Sequence, residues 1–263
     1  MSASLADDLA RVFGLVSYLV VPLDPVGEEW ISAERLVSDP AFLRTHIDAT
    51  APGRGTDDPA VAASMFVQSY AYRLAAATLA PLVLNGRVPA ATPDRVVLRV
   101  ARHRPAGIGL LTPIAHVAFS EPASFEWLAE TLFAAHFDRL VNAVRETIKV
   151  GERLLWGNIA SSCVSILRTI EGALPGREEK LRIRTFTTAF LQAMPHEFAS
   201  LGSFLTLNVG DAEGWYHERT TCCLWYKTDE AQRASVSYCA DCSLTPTDER
   251  RTTLLLELTP KDT

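Results

Sequence analysis

The sequence has no run of about 18 apolar residues, the length a bilayer-spanning helix needs, so no helix is expected to cross a membrane. It has no Gly-x-Gly-x-x-Gly string and no phosphate-cradling loop, which argues against a Rossmann-type dinucleotide site within the chain. Positive charge is in deficit. Twenty-five Lys and Arg stand against 31 Asp and Glu, a net charge of −6. Nucleic-acid binding usually leaves a basic footprint, so that function class is set aside. The N-terminus lacks the basic start and small-residue cleavage site of a secretory signal. The expected compartment is the cytoplasm, free or peripheral at the inner membrane face. No repeat of solenoid period is visible.

What remains is an ordinary globular composition of 263 residues, 48% hydrophobic and 21% charged. A chain of that size buries about 70–75% of its unfolded surface and needs no metal merely to fold. The cysteines are the informative residues. Cys163 stands alone, whereas Cys222, Cys223, Cys239 and Cys242 share one short stretch near the C-terminus. In a reducing compartment such a cluster points to metal binding or catalysis rather than to disulfides.

Pattern and punctuation give a coarse layout. A helix is expected over residues 3–20, stopped by Pro22 and Pro25, and a weaker one over 28–48, interrupted by Pro40. Residues 51–59 read as a loop. Asp58 and Pro59 then open a long helix to about Leu79, with Pro81 and Asn85-Gly86 closing the segment. Arg95–Val100 reads as a strand that can pair with Ile108–Leu111 as a hairpin near 95–111. Phe125, Leu128, Leu132, Phe137, Leu140, Val144 and Ile148 form one helical stripe. Further helices are expected over 152–171 and 178–193, a short strand over 204–209, and a closing strand over 252–258. The fold class expected is α+β: a predominantly helical body (1–209) with a small β-containing segment, followed by a C-terminal cysteine-rich module (210–263).

The module reads Cys222-Cys223, fifteen residues, then Cys239-Ala-Asp-Cys242. Two thiolates in a Cys-x2-Cys hook converge on one ion. Four thiolates suit either tetrahedral Zn²⁺ or an iron–sulfur cluster. Adjacent residues in an extended strand point to opposite faces, so Cys222 and Cys223 can serve one site only on a bent backbone or by reaching different metal ions. A structural zinc, a labile disulfide and simple buried thiols are the other readings of these residues.

The pair and the hook together resemble the FhuF-like ferric-siderophore reductases, a family with a C-terminal [2Fe–2S] cluster. Leu155-Trp156-Gly157-Asn158 is similar to a string in that family, as is the layout of a helical body followed by a cysteine module. The resemblance covers roughly the last 120 residues of the 263-residue chain. It implies that Cys222, Cys223, Cys239 and Cys242 hold a [2Fe–2S] cluster and act through it. It also implies one-electron reduction of a ferric siderophore, releasing Fe(II). Two departures stand out. The spacing between pair and hook is longer than the family's, with residues 228–234 expected as a surface loop, which costs little. Ser243 also stands where Pro is expected.

With no dinucleotide loop, the implied reductase needs an external electron donor, a ferredoxin or flavoprotein. The alternatives are a zinc-stabilised protein that binds a siderophore or a partner, and an iron–sulfur electron carrier or sensor. Arg219, Lys227 and Arg233 flank the cysteines and would raise a cluster's potential unless they are solvated. Trp225 and Tyr226 could shield the site or anchor the module. Cys163 and His136 are expected in the core. His217 is a further candidate for ligation or for tuning through a hydrogen bond. Trp156, Gly157 and Asn158 are expected to pack against the module, with Gly157 permitting close approach and Asn158 satisfying buried backbone groups. Arg99, Arg102, His103 and Arg104 form a basic stretch that could meet an anionic siderophore.

Overall fold

The computed structural model describes residues 4–112, 116–118, 123–196, 198–210, 212–234, 238–239 and 241–258. The start of the first expected helix at Ala3, and Ser237 and Ala240 of the cysteine module, lie outside the described residues.

The chain opens with α1 (Leu5–Leu15), where Ser4 and Asp7 form a reciprocal capping box. A short strand β1 (Trp30–Ser32) and helix α2 (Ala33–Ser38) replace the first part of the single helix expected over 28–48. Pro40 begins a helix rather than breaking one: it is the first residue of α3 (Pro40–Arg54), capped by Asp39. A first-turn proline removes an N–H that had no partner. Residues 51–54, expected as loop, complete α3, and the chain leaves it at Gly55 in the left-handed region (φ 58°).

Helix α4 (Pro59–Asn85) begins where Asp58 and Pro59 indicate and stops at left-handed Gly86. It runs through Pro81, past the expected end near Leu79. The cost of an internal proline, about 3 kcal/mol, is offset because α4 is buried around nearly its whole circumference. An all-round apolar helix belongs at the centre of a fold, and α1 and α3 pack against it.

Strands β2 (Arg87–Pro89), β3 (Val96–Ala101) and β4 (Arg104–Leu110) follow, then β5 (His116–Ala118). The expected hairpin is present, with Leu98 opposite Ile108, and β1 adds to its other side in the order β1-β3-β4. Its turn holds Arg102 and His103, both at positive φ. The stripe of 124–149 becomes α5 (Ala123–Leu128), a π-helical stretch (Ala129–Phe137) and α6 (Asp138–Thr147). Helices α7 (Glu152–Ala173) and α8 (Arg177–Ala193) follow, and α7 packs along α4. Phe66, Tyr70, Phe133, Phe137, Phe190 and Phe198 are fully buried in this core.

The C-terminal part starts with an antiparallel hairpin, β6 (Gly202–Val209) and β7 (Ala212–Arg219). Strand β7 lies in a stretch whose turn-like composition hid it. Residues 228–234, expected as a surface loop, hold α9 (Asp229–Arg233), with Thr228 and Ala231 buried. The expected closing strand over 252–258 is instead the second half of α10 (Thr247–Leu258). Asp248 and Glu249 suit a helix's first turn, and Thr252 and Thr253 return their hydroxyls to carbonyls four residues back. Leu254 is buried while Leu256 is exposed. The class is α+β and mostly helical, with small antiparallel sheets, as the sequence indicates. No helix among the described residues is long and apolar enough to cross a membrane.

Candidate metal centre

The cysteine loop leaves β7 and lies directly on α7. Gly157 makes that contact possible: a Cβ there would collide with Thr221 Oγ1 and sit 2.7 Å from Thr221 Cβ. The adjacent pair follows directly. The Leu224 backbone is left-handed (φ 64°), a costly state for a leucine. It turns the chain immediately after Cys222 and Cys223.

Backbone amides then turn toward the sulfurs. Leu224 N–H donates to Cys222 Sγ (3.3 Å) and Leu244 N–H to Cys242 Sγ (3.4 Å). Trp225 N–H serves Cys223. The second hook is a tight turn, with Cys242 N–H donating to the Cys239 carbonyl (3.0 Å). The thiols of Cys223 and Cys239 are hydrogen-bonded to each other, and the charge of Cys242 is felt at both Cys222 and Cys239. Val61, Met65 and Cys223 form a small apolar cluster, on which Leu224, Trp225 and Cys239 pack. Among the described residues, no three His, Cys, Asp or Glu side chains are drawn into a closed coordination shell.

A buried polar relay ties this loop to the two central helices. Ser64 Oγ on α4 donates to the Cys223 carbonyl (2.6 Å). Asn158 Nδ2 on α7 donates to both the carbonyl and the Oγ of Ser64 (3.1 and 2.8 Å). Arg219 Nη2, at the end of β7, donates to Asn158 Oδ1 (2.7 Å). Arg219 is only 3% exposed. Its Nε has no partner among the described residues, and the side chain it meets is neutral. A buried guanidinium normally finds an anion, because an uncompensated buried charge is costly.

The electrostatics follow from that placement. The hydrogen bond from Cys239 and the charge of Arg219 hold the Cys223 thiol below its usual range. Cys239, the donor of that bond, is pushed up, and burial raises Cys222. Of the three cations that flank the cysteines in sequence, Arg219 is the one whose charge reaches both Cys222 and Cys223. Lys227 pairs with Asp58 (3.4 Å), and Arg233 is exposed, with its Nε on the Asp229 carbonyl.

The remaining candidates are spread through the fold. Cys163 is buried on α7, its thiol raised by burial. His136 is a satisfied core residue, bonded to Tyr70 Oη (2.5 Å) and the Ala91 carbonyl (2.6 Å). His217 is buried against Gly202 and Phe204, its pKa lowered to about 4 by desolvation. Trp225 packs on the cysteine cluster, and Tyr226 faces Tyr238 (5.7 Å between ring centres). Gly157 and Asn158 meet the cysteine loop as expected, whereas Trp156 stacks on His196 (3.8 Å). Ser64 went unnoticed in the sequence. Its one signal was a lone hydroxyl in the apolar run Val61–Val67.

Residues 64–201 match the ferric iron reductase FhuF-like transporter family. The match begins at Ser64 and includes Asn158, but it stops before Arg219 and the four clustered cysteines. No curated protein matches the chain at a significant level. Because the match spans more than half of the 263 residues, the chain belongs to the ferric iron reductase FhuF-like family.

Proposed function

We propose that the chain is a ferric-siderophore reductase whose Cys222, Cys223, Cys239 and Cys242 hold a [2Fe–2S] cluster. The observation that carries this reading is the cluster of four cysteines beside Arg219, which is buried, meets no anion among the described residues and acts on Cys222 and Cys223. Four thiolates fill the protein positions of such a cluster, and the assembly carries net negative charge. Arg219 offers the missing counter-charge, and three backbone amides already donate to sulfur. When bound, the cluster supplies a one-electron donor of low potential.

The chain's own residues do the rest. The amides of Leu224, Trp225 and Leu244 favour thiolate over thiol. Arg219, fixed by Asn158 and Ser64, makes added negative charge cheaper and so raises the potential of the site. Trp225 covers Cys223 and keeps water from it. In the substrate, Fe(III) accepts one electron to become Fe(II), which hard oxygen donors hold less firmly. An external ferredoxin or flavoprotein supplies the electron. In this reading residues 1–209 face the chelate and 210–263 carry the cluster, with the β6–β7 hairpin joining the two, in a cytoplasmic protein.

The test is iron and sulfide analysis of anaerobically purified protein, with absorption and EPR spectra. About two irons and two sulfides per chain are expected, with an EPR signal appearing on reduction. Cys239→Ser should abolish iron, sulfide and ferric reduction, while Cys163→Ser retains all three. One zinc and no sulfide in a colourless protein would overturn the reading.

A further inference from the structure

A cavity of about 360 Å³ lies between α4 and α7, walled by Arg54, Arg73, Arg168, His217, Trp225 and Asp241. Its size falls within the range of small-molecule pockets, about 300–1,000 Å³. Trp225 follows Cys223 by two positions, and Asp241 sits inside the Cys239–Cys242 hook. The cavity therefore abuts both halves of the cysteine set. Two larger cavities, about 640 and 740 Å³, are lined by no residue of the loop 221–244. In the first of these, Arg184 is already matched by Glu171 and Glu213.

Its charge balance is unusual. Arg54 bonds Glu230 (2.8 Å) and Ser69 Oγ (3.2 Å), and its buried Nε has no acceptor among the described residues. Arg168 Nε donates to the Trp215 carbonyl (2.9 Å), and its guanidinium lies over the Tyr216 ring. Arg73 donates to the Ser69 carbonyl (2.8 Å). The other charges felt at Arg73 are those of Arg104, Arg54 and Arg99, with Tyr72 adjoining. Burial and these cations lower its pKa to about 10, so it stays protonated at neutral pH. The opposing carboxylates are Asp241 and Glu230, the latter engaged with Arg54. The basic stretch of the β3–β4 hairpin thus adds its field to the same recess. Ser161 and Ser165 of α7 place hydroxyls in the wall. Guanidinium forks and hydroxyls together recognise oxygen-rich anions.

We infer that this recess seats a ferric chelate of net negative charge, such as a tris-catecholate, in preference to the electroneutral tris-hydroxamate complexes. The inference rests on the reductase reading for the identity of the metal, and on the recess alone for the sign of the charge. An anion held there meets three cations beside the thiol set. A neutral complex would leave half-buried Arg73 facing other cations, with no carboxylate on it among the described residues.

Gallium(III) complexes test this, because they copy the ferric complexes in charge and size but take up no electron. The full chain is titrated calorimetrically with gallium tris-catecholate and gallium tris-hydroxamate at low and high salt. The anionic complex should bind at least about tenfold tighter, with the preference shrinking as salt rises. Arg73→Gln should lower its affinity about tenfold or more, Arg73→Lys should restore much of it, and Arg182→Gln, away from this recess, should change nothing. Equal or tighter binding of the neutral complex by the wild-type chain would overturn the inference without recourse to any variant. So would an Arg73→Gln protein of unchanged melting temperature and unchanged affinity. Selective anion binding by a chain without iron or sulfide would sink the reductase reading alone. A cluster-bearing chain that prefers the neutral complex would sink this inference alone.

Discussion

The foot of α4 and the root of the cysteine loop each bury an arginine, and they treat it in opposite ways. Arg87, just past α4, grips Asp8 of α1 through two contacts, Nε to Oδ2 at 2.6 Å and Nη2 to Oδ1 at 2.9 Å. Both groups are largely hidden, and the charge is cancelled where it arises. Arg219 is more deeply buried, and among the described residues its side chain meets the amide oxygen of Asn158 and no carboxylate. The first arginine is part of how the helices hold together. The second has no carboxylate partner among the described residues, and its charge is felt at Cys222 and Cys223. Where this chain uses charge for architecture it provides the partner.

Breaking the matched pair should produce the largest effect. Asp8→Ala removes the buried carboxylate that Arg87 grips and should cost about 3–5 kcal/mol, read as a drop in the urea midpoint. A loss below 1 kcal/mol would mean that Arg87 simply swings into water, and the contrast with Arg219 would collapse.

The helical body also holds a neutral polar site that should respond to acid. His136 donates from Nδ1 to the Ala91 carbonyl and accepts at Nε2 from Tyr70, and burial lowers its pKa to about 4. The unfolded chain takes that proton near pH 6.5. Between about 6.5 and 4 the unfolded state thus binds more protons, and stability falls as pH falls, by up to about 1.4 kcal/mol per unit. His46 and His217 shift in the same direction. Chemical denaturation at pH 7 and pH 5 should show the loss, and His136→Gln should flatten part of it. An identical slope in that variant would remove His136 from the account.

The joint itself comes next in size. Gly157→Ala forces Thr221 away from α7 and should cost about 1–3 kcal/mol, with the cysteine loop loosened before the body. Hydrogen exchange would show protection lost first in residues 221–227. Thr221→Gly should restore it in the double variant.

The smallest effect is the most specific. Arg219→Gln abandons no carboxylate, so the melting temperature of the cluster-free chain should move little. In the loaded protein the same change should lower the reduction potential by about 60 mV, tenfold for a one-electron couple. An unchanged potential would make Arg219 a structural residue after all.

Local grammar made much of the body legible. Asp58, Pro59 and Gly86 bracket α4, and the apolar phases of α7 and α8 set their extents. The errors share one physical cause: they sit where neighbours distant in sequence override local preference. Pro81 stays helical because α4 is enclosed, and β7 is a strand because β6 supplies its ladder. Thr252–Leu258 is β-like in composition, but its leucines answer to a helical phase set by the acidic start of α10. At the site, the residue types and the need for a bent backbone at Cys222-Cys223 were visible. The relay from Arg219 through Asn158 and Ser64 was not, since burial and partner choice are tertiary facts.

One consequence concerns the stretch between the pair and the hook. It is not a free fifteen-residue tether. The Asp229 amide donates to the Gly55 carbonyl (3.3 Å), Glu230 clasps Arg54, and the buried Thr228 caps α9. The segment is staked to the end of α3 part-way along its length, so each cysteine pair searches only a short contour from a fixed post. Closure entropy rises slowly with length, and pinning the middle makes it slower still. In the proposed cluster, gathering four thiols then becomes two local problems, and the longer spacing costs little encounter probability.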